Sequence, residues 1–304
     1  MEKAEKIWLN GKLVDWDEAK IHVLTHALHY ATAVFDSIRC YKTPRGPALF
    51  RLKDHLQRLH NSAKIYSMKI PYSVEELCQA TRELVQVNRF SECYVRPIAY
   101  YGYQEMGVNP LNNPVEVAII TWQWGAYLGE EGLENGIRCK ISSWLRPDSR
   151  MLPPLAKASA NYGNSVLAKL EALQCGYDEA IQLNSQGYVC EGTGENIFII
   201  KEGVLFTPPT EAGALEGITQ NSVITMAQDM GMTVIQKNIS REELFLADEA
   251  FLTGTAAEIT PIREVDERVI GRGVKGEITA ALQARFFDIC RGKDEKYLHW
   301  LEFV

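Results

Sequence analysis

The sequence predicts an α+β protein built as two domains. Amphipathic helical stretches are interleaved with short runs rich in Val, Ile, Tyr and Trp, some joined as hairpins, so the order is not the clean βαβ alternation of a doubly wound sheet. The segment LGEEGLENG, residues 128–136, is rich in Gly and Glu and poor in apolar positions that could join a core. At 304 residues the chain is long enough to divide. These observations predict a small N-terminal α+β domain over 1–127, a linker over 128–136 and a large C-terminal α+β domain over 137–304.

Near the N-terminus, IWLNGKLVDWDEAKI reads as a hairpin around Asn10-Gly11, the strongest two-residue turn signal. ALF at 48–50 is a short strand, and the helix after it places Leu52, Leu56, Leu59 and Ala63 on one stripe. SVEELCQATRELVQVN is a second helix, with Ser73 as cap and Glu76 in the capping-box position. CYVRPIAYYGY and VEVAIITWQW follow as strands. Past the predicted linker come a strand, IRCKISSW, an irregular stretch, RPDSRMLPP, and a helix, NYGNSVLAKLEALQCG, closed by Gly176. EAIQLN and YVCEG form a hairpin through SQG, and NIFIIKEG is the next strand. TQNSVITMAQDMG is a helix, TVIQKNIS a strand, SREELFLA a short capped helix, EAFLTG a strand and KGEITAALQARFFDICRG the last long helix.

The composition, 46% hydrophobic and 23% charged, has no apolar run near the roughly 20 residues of a membrane helix. The formal charge of -7 disfavours a polyanion-binding surface, which leaves room for a small anionic ligand but argues against nucleic acid. MEKAEKIWLNGKLV lacks the apolar core of a signal peptide, so a cytoplasmic protein is expected. The seven cysteines have no CxxC pair, which reads as reduced thiols rather than a disulfide or thiolate metal framework.

Three motifs have duller readings that prevail. GRGVKG, 271–276, has GxGxxG spacing, but too little chain follows its helix to complete a dinucleotide-binding unit, so it reads as a surface turn. His22, His26 and His29 would align on a helix, yet no HExxH or partnering carboxylate accompanies them, and no metal is expected. No GxSxG elbow is present for serine hydrolysis.

PPLAKASANY, 153–162, carries more chemistry. Lysines are ordinarily solvated charges, but the small neighbours of Lys157 leave space for a flat ligand, and a desolvated amine favours its nucleophilic neutral form. GALEGITQNSV puts Gly217, Ile218 and Thr219 at a helix start, where backbone N–H groups and a hydroxyl can hold a phosphate. FLTGTAAEITPI gives a second small-residue turn, Gly254 to Ala257, able to bring donors to an anion. Glu191, in YVCEGTGENIF, is either a solvated turn acid or a carboxylate that would protonate a pyridine nitrogen.

Taken jointly, AKASANYGNSVLAKLEALQCGYDEAIQLNSQGYVCEGTGENIFIIKEGVLFTP, GALEGITQNSV and FLTGTAAEITPI resemble the fold-type IV pyridoxal-phosphate-dependent aminotransferases, the D-amino acid aminotransferase-like fold. With HYATAVFDSIR, LFRLKDHLQRLHNSAKI and YVRPIAYYGYQEMGVNP, nearly the whole chain resembles the branched-chain amino acid aminotransferases. The resemblance implies pyridoxal 5'-phosphate bound as a covalent aldimine to Lys157, the catalytic residue, with Glu191 facing the pyridine nitrogen and Tyr162 the ring hydroxyl. Arg58, Ile218, Thr219 and Thr255 match its phosphate-holding positions, and Gly194, Leu215, Gly217 and Gly254 complete the cofactor set. Tyr94, with the backbone at Thr255 and Ala256, matches the α-carboxylate site, and Arg96 the residue that accepts the distal carboxylate of glutamate. Phe35, Tyr30 and Tyr127 match the apolar wall, and Ser37 borders the side-chain pocket.

What this implies is ping-pong transfer of the amino group of L-leucine, L-isoleucine or L-valine to 2-oxoglutarate, giving the branched 2-oxo acid and L-glutamate, as in branched-chain amino acid biosynthesis. It also implies a homodimer as the smallest active unit, with a hexamer open. The departure from the family pattern lies where relatives usually have HYG and VFEGIR. Here Ala31, Asp36 and Ser37 stand instead, and the hydroxymethyl of Ser37 bears on substrate preference. D-Amino acid aminotransferase and 4-amino-4-deoxychorismate lyase are the alternatives within the family, and a catalytically silent binding protein is the alternative outside enzymes. Tyr94, Arg96 and EMGVNP favour the branched-chain reading.

Overall fold

A computed structural model describes residues 3–125 and 127–304. The chain divides into two compact units, one of 1–124, 156–160 and 288–304, the other of 125–155 and 161–287.

In the first unit β1 (Lys6–Leu9) and β2 (Lys12–Asp15) form the hairpin expected at Asn10-Gly11. Both turn residues have positive φ, 49° and 86°, as a turn that matches strand twist requires. After α1 (His26–Tyr30) come β3 (Ala33–Phe35), β4 (Ile38–Thr43) and β5 (Gly46–Phe50). Two helices follow, α2 (Leu52–Ile65) and α3 (Val74–Val87), then the long strands β6 (Cys93–Tyr101) and β7 (Val115–Trp122). β6 is central, pairing with β3, β4 and β7, and β7 pairs with β1. The stripe Leu52, Leu56, Leu59 and Ala63 packs with Leu77, Leu84 and Val85 of α3 onto Ile38, Val95 and Ile119 of the sheet. The capping box of α3 is present: Glu76 N–H donates to Ser73 Oγ at 3.2 Å and Ser73 N–H to Glu76 Oε2 at 2.7 Å.

The second unit contains α4 (Glu130–Asn135), β8 (Ile137–Ile141), α5 (Ser159–Gln174), whose first residues belong to the other unit, β9 (Glu179–Leu183), β10 (Val189–Gly192), β11 (Asn196–Lys201) and β12 (Val204–Thr207). It continues with α6 (Ile218–Asp229), β13 (Val234–Gln236), α7 (Arg241–Phe245), β14 (Glu249–Gly254), β15 (Glu258–Val265), β16 (Arg268–Val269) and α8 (Glu277–Cys290). Among the described residues the sheet runs β10-β9-β8-β15-β14-β11-β12-β13, with β16 beside β15.

Two parts of the chain cross the expected boundary. The last strand, β17 (Leu301–Phe303), pairs with β5 of the first unit, where Arg51 N–H donates to Trp300 O at 2.6 Å and Arg82 binds Glu302 at 2.8 Å. The segment 156–160 belongs there too: Lys157 N–H donates to Ser62 Oγ at 3.0 Å and Phe35 N–H to Lys157 O at 3.0 Å. The expected linker is also partly core. Within 128–136, α4 is fixed by Gln283 Nε2 donating to Leu133 O at 3.0 Å, and Leu128 packs on the second unit's apolar cluster.

Candidate active site

In the first unit, Tyr94 and Arg96 alternate with inward residues along β6 and therefore share a face. Phe35 on β3 lies opposite Ile98, hence diagonal to Arg96, and Trp122 on β7 lies opposite Tyr94. The Arg96 guanidinium rests 4.5 Å from the Phe35 ring centroid, 5.6 Å from Tyr94 and 5.9 Å from Trp122. Its Nε is buried without a hydrogen-bond partner among the described residues, and no carboxylate there pairs with it. Lys157, 8% exposed, places Nζ 5.4 Å from the same Phe35 ring.

Trp124 belongs to this group, 4.8 Å from Tyr94 and held by Arg39 Nη2 donating to its carbonyl at 3.3 Å. Neither tryptophan nor Arg39 carried a sequence signal beyond strand propensity. Tyr30 takes no part in the cluster among the described residues; it ends α1, exposed, 4.5 Å from His26. Ser37 is buried beside Asp36.

Arg58 sits on α2 and is committed differently from a simple charge awaiting an anion. Its Nε and Nη2 donate to the two oxygens of Asp36, each at 2.8 Å. Asp36, wholly buried, also accepts His55 Nδ1–H and Ser37 N–H at Oδ1, both at 2.7 Å. Burial would raise the Asp36 carboxyl, but the Arg58 and His55 charges and hydrogen bonds bring it well below the usual carboxylate range. His55 is pushed down, chiefly by burial, with Asp36 opposing.

In the second unit the register of β10 shifts between Val189 and Glu191, placing Glu191 opposite Gln182. Glu191 is buried; Oε1 meets Arg146 Nη2 at 2.7 Å and Oε2 accepts Leu215 N–H at 2.9 Å. Leu215 is held at its other end by Asn196 Nδ2 donating to its carbonyl at 2.8 Å. A Cβ at Gly217 would lie 1.9 Å from Asn196 Oδ1 and would displace the side chain that holds the Leu215 carbonyl. Gly217 is the N-cap of α6, whose first turn begins at Ile218 and Thr219. Gly254 pairs with Glu258 around the turn holding Thr255 and Ala256, and a Cβ on Gly254 would lie 3.5 Å from Gly194 O, so the two glycine-bearing loops adjoin. Tyr162 lies in the first half of α5, and Tyr127 has Lys169 Nζ 5.6 Å from its ring. Arg146, the partner of Glu191, escaped sequence reasoning because its stretch has no periodicity and its partner is far along the chain.

Beside Glu191 lies a second acid, Glu195. Its Oε2 accepts Gly194 N–H at 3.1 Å. Burial, then the neighbouring Glu179, push its carboxyl up to about 8, with Glu191 adding to the rise. Glu179 itself accepts Lys169 Nζ at 2.6 Å and Thr193 Oγ1–H at 2.7 Å.

The remaining motifs have structural partners. His26 bonds Thr32 Oγ1 at 2.8 Å and Gly107 O at 2.7 Å, His29 bonds Val23 O at 2.7 Å, and His22 stacks on Tyr103. At GRGVKG, the start of α8 is already capped by Glu249, which accepts Thr279 N–H at 2.8 Å and would collide with any Cβ on Gly276. No helix among the described residues is long and apolar enough to cross a membrane.

The profile of the family described as amino-transferase class IV matches residues 33–265. The chain is 47% identical over 304 residues to the branched-chain-amino-acid aminotransferase of Escherichia coli (strain K12), covering 100% of this chain and 98% of the relative. The crystal structure of the Escherichia coli branched-chain amino acid aminotransferase superposes with a TM-score of 0.97 at 47% identity, over 99% of each chain. That of the branched-chain amino acid aminotransferase from Thermobaculum terrenum, in its PLP-bound holo form, gives 0.93 at 37% identity, again over 99% of each chain. A match of this breadth, on a fold that sets the Lys157 amine and the Arg96 guanidinium against the same Phe35 ring, places the chain in the class IV aminotransferases.

Proposed function

We propose that this chain is a branched-chain amino acid aminotransferase that uses pyridoxal phosphate and exchanges amino groups between L-leucine, L-isoleucine or L-valine and 2-oxoglutarate. The observation that carries the reading is the Phe35 ring with the Lys157 amine 5.4 Å from its centroid and the Arg96 guanidinium 4.5 Å from it. An amine and a cation without an anionic partner among the described residues share one apolar wall. That wall suits an aliphatic side chain, and the arginine suits the second carboxylate of glutamate.

The residues fit the cofactor. Lys157 Nζ would hold it covalently, Glu191, whose carboxylate is fixed by Arg146 and Leu215 N–H, would serve the pyridine nitrogen, and Tyr162 would serve the ring hydroxyl. Arg58, Ile218, Thr219 and Thr255 take the phosphate, with Gly217, Gly194 and Gly254 allowing close backbone approach. When bound, pyridoxal phosphate supplies the electron sink and the carrier of the amino group. The Lys157 amine would be the base that moves the α-proton. Tyr94 and the backbone at Thr255 and Ala256 bind the α-carboxylate, while Phe35, Tyr127 and Tyr30 bind the side chain. Amino acid and oxo acid use the one pocket in turn, which makes the kinetics ping-pong.

Tyr30 is exposed at the end of α1, a position from which it would line a second copy's site in a homodimer. Exposed Ile21, Leu28 and Val108 and an apolar cavity of about 410 Å³ against β1, β6 and β7 support such an interface. Seven free thiols support a reducing, cytoplasmic setting. The test is the absorption spectrum of pyridoxal-phosphate-loaded protein before and after L-leucine, with parallel L-leucine, D-alanine and aminodeoxychorismate assays. Bleaching with release of the 2-oxo acid is expected; no band, or faster turnover of either other substrate, overturns the reading.

A further inference from the structure

Arg58, the candidate phosphate-holding residue on α2, is bonded within the first unit to Asp36. α2 presents His55, Arg58 and Ser62 on one face, at i, i+3 and i+7. Ser62 accepts the backbone N–H of Lys157 at 3.0 Å, and Phe35, next to Asp36, donates to the Lys157 carbonyl at 3.0 Å. One helix face therefore ties the lysine segment and the arginine to the same few residues.

Asp36 is the hub. It accepts four hydrogen bonds, from Arg58 Nε and Nη2, His55 Nδ1 and Ser37 N, at 2.7–2.8 Å. A carboxylate only accepts, so the His55 proton is on Nδ1. The fork of two parallel bonds fixes the guanidinium plane along one edge, and with it the direction of the remaining N–H groups. Without that fork the arginine has several rotatable bonds to order when an anion arrives.

We propose that Asp36 and His55 are positioning residues that pre-set the Arg58 guanidinium for the cofactor's 5'-phosphate. The inference rests on the reading of Arg58 as a phosphate-holding residue. Asp36 cancels the charge of Arg58, so the arginine contributes oriented donors more than net positive charge. His55 and the Ser37 amide hold the Asp36 carboxylate where it reaches Arg58.

The test compares two aldehydes on the cofactor-free full chain, pyridoxal phosphate and pyridoxal, by titrating the absorption band of the bound aldehyde. Asp36→Asn should weaken pyridoxal phosphate about ten- to hundredfold, the scale of a lost charge-assisted hydrogen bond, and leave pyridoxal nearly unchanged. Asp36→Asn combined with Arg58→Ala should be no worse than Arg58→Ala alone, and Asp36→Glu should restore most of the phosphate preference. If Asp36→Asn does not fold, His55→Gln gives the same readout, with a smaller loss confined to the phosphorylated aldehyde. Equal losses for both aldehydes would mean a merely structural role, and tighter phosphate binding would mean that Asp36 competes for Arg58; either overturns the proposal. A wild-type chain that gives no band with either aldehyde would instead overturn the assignment of Lys157 and, with it, this inference.

Discussion

Replacing Glu195 with glutamine should change how stability varies with pH, not just its level. The Glu195 carboxyl is buried between Glu179 and Glu191, with Lys169 and the Cys139 thiol also within its field, and is pushed from an ordinary 4.5 up to about 8. Between these values the folded chain holds a proton that the unfolded chain has released. Stability at this site is therefore full below 4.5 and falls as pH rises towards 8. At about 1.36 kcal/mol per pH unit the whole fall is on the order of 5 kcal/mol, of which about 4 kcal/mol lies above pH 5. For 304 residues at about 2.1 cal/mol/K each, that is about 6 °C in Tm. Glutamine keeps the shape and stays neutral, so the Tm of Glu195→Gln minus that of wild type should grow by about 6 °C between pH 5 and pH 9, measured calorimetrically on cofactor-free protein. Taking the difference cancels the titrating groups that do not interact with Glu195. An offset constant across that range would refute the burial of a proton at Glu195.

Arg146→Met leaves Glu191 buried without its cation and should cost about 3–5 kcal/mol, read as a lower Tm of the cofactor-free chain. Arg96→Gln should raise KM for 2-oxoglutarate about tenfold or more while changing that for L-leucine little, because only the acidic substrate needs the guanidinium; equal changes in steady-state assays would count against it. Leu56→Ala, at a fully buried position of α2, should destabilise the first unit by about 2–5 kcal/mol in denaturant titration. Ser37→Gly should widen the side-chain pocket and shift kcat/KM among leucine, isoleucine and valine by up to about tenfold, since each methylene discriminates only weakly.

Elements whose chemistry is local were legible in the sequence. Asn10-Gly11, the Ser73–Glu76 box and the equivalent Ser240–Glu243 box are each completed within a few residues, and all three are present. β15 was not legible, because Pro261 argues against a central strand. The structure accommodates it: Pro261 faces Phe251 of β14, while pairing with β8 begins only at Ile262, so its missing N–H removes no bond on that side. β4 was obscured for a different reason. It follows the buried Asp36 and contains Arg39, 9% exposed, and charges in a short run read as solvent-facing until their partners are known.

The same cause separates what could and could not be read of the site. Lys157, Glu191 and the glycine turns stand in contiguous stretches with a recognisable pattern, whereas Arg146, Asp36 and His55 gain meaning only from partners on other elements. A buried charge is tolerable only when paired, so its position is set by a tertiary contact and not by its neighbours in sequence. The chain's return to its first unit at 156–160 and 288–304 is of this kind as well. A linear boundary assigns Lys157 to the C-terminal half, yet its backbone is bonded to Ser62 and Phe35. The lysine is thereby anchored to α2 and to Phe35 of β3, and a shift of either element moves it.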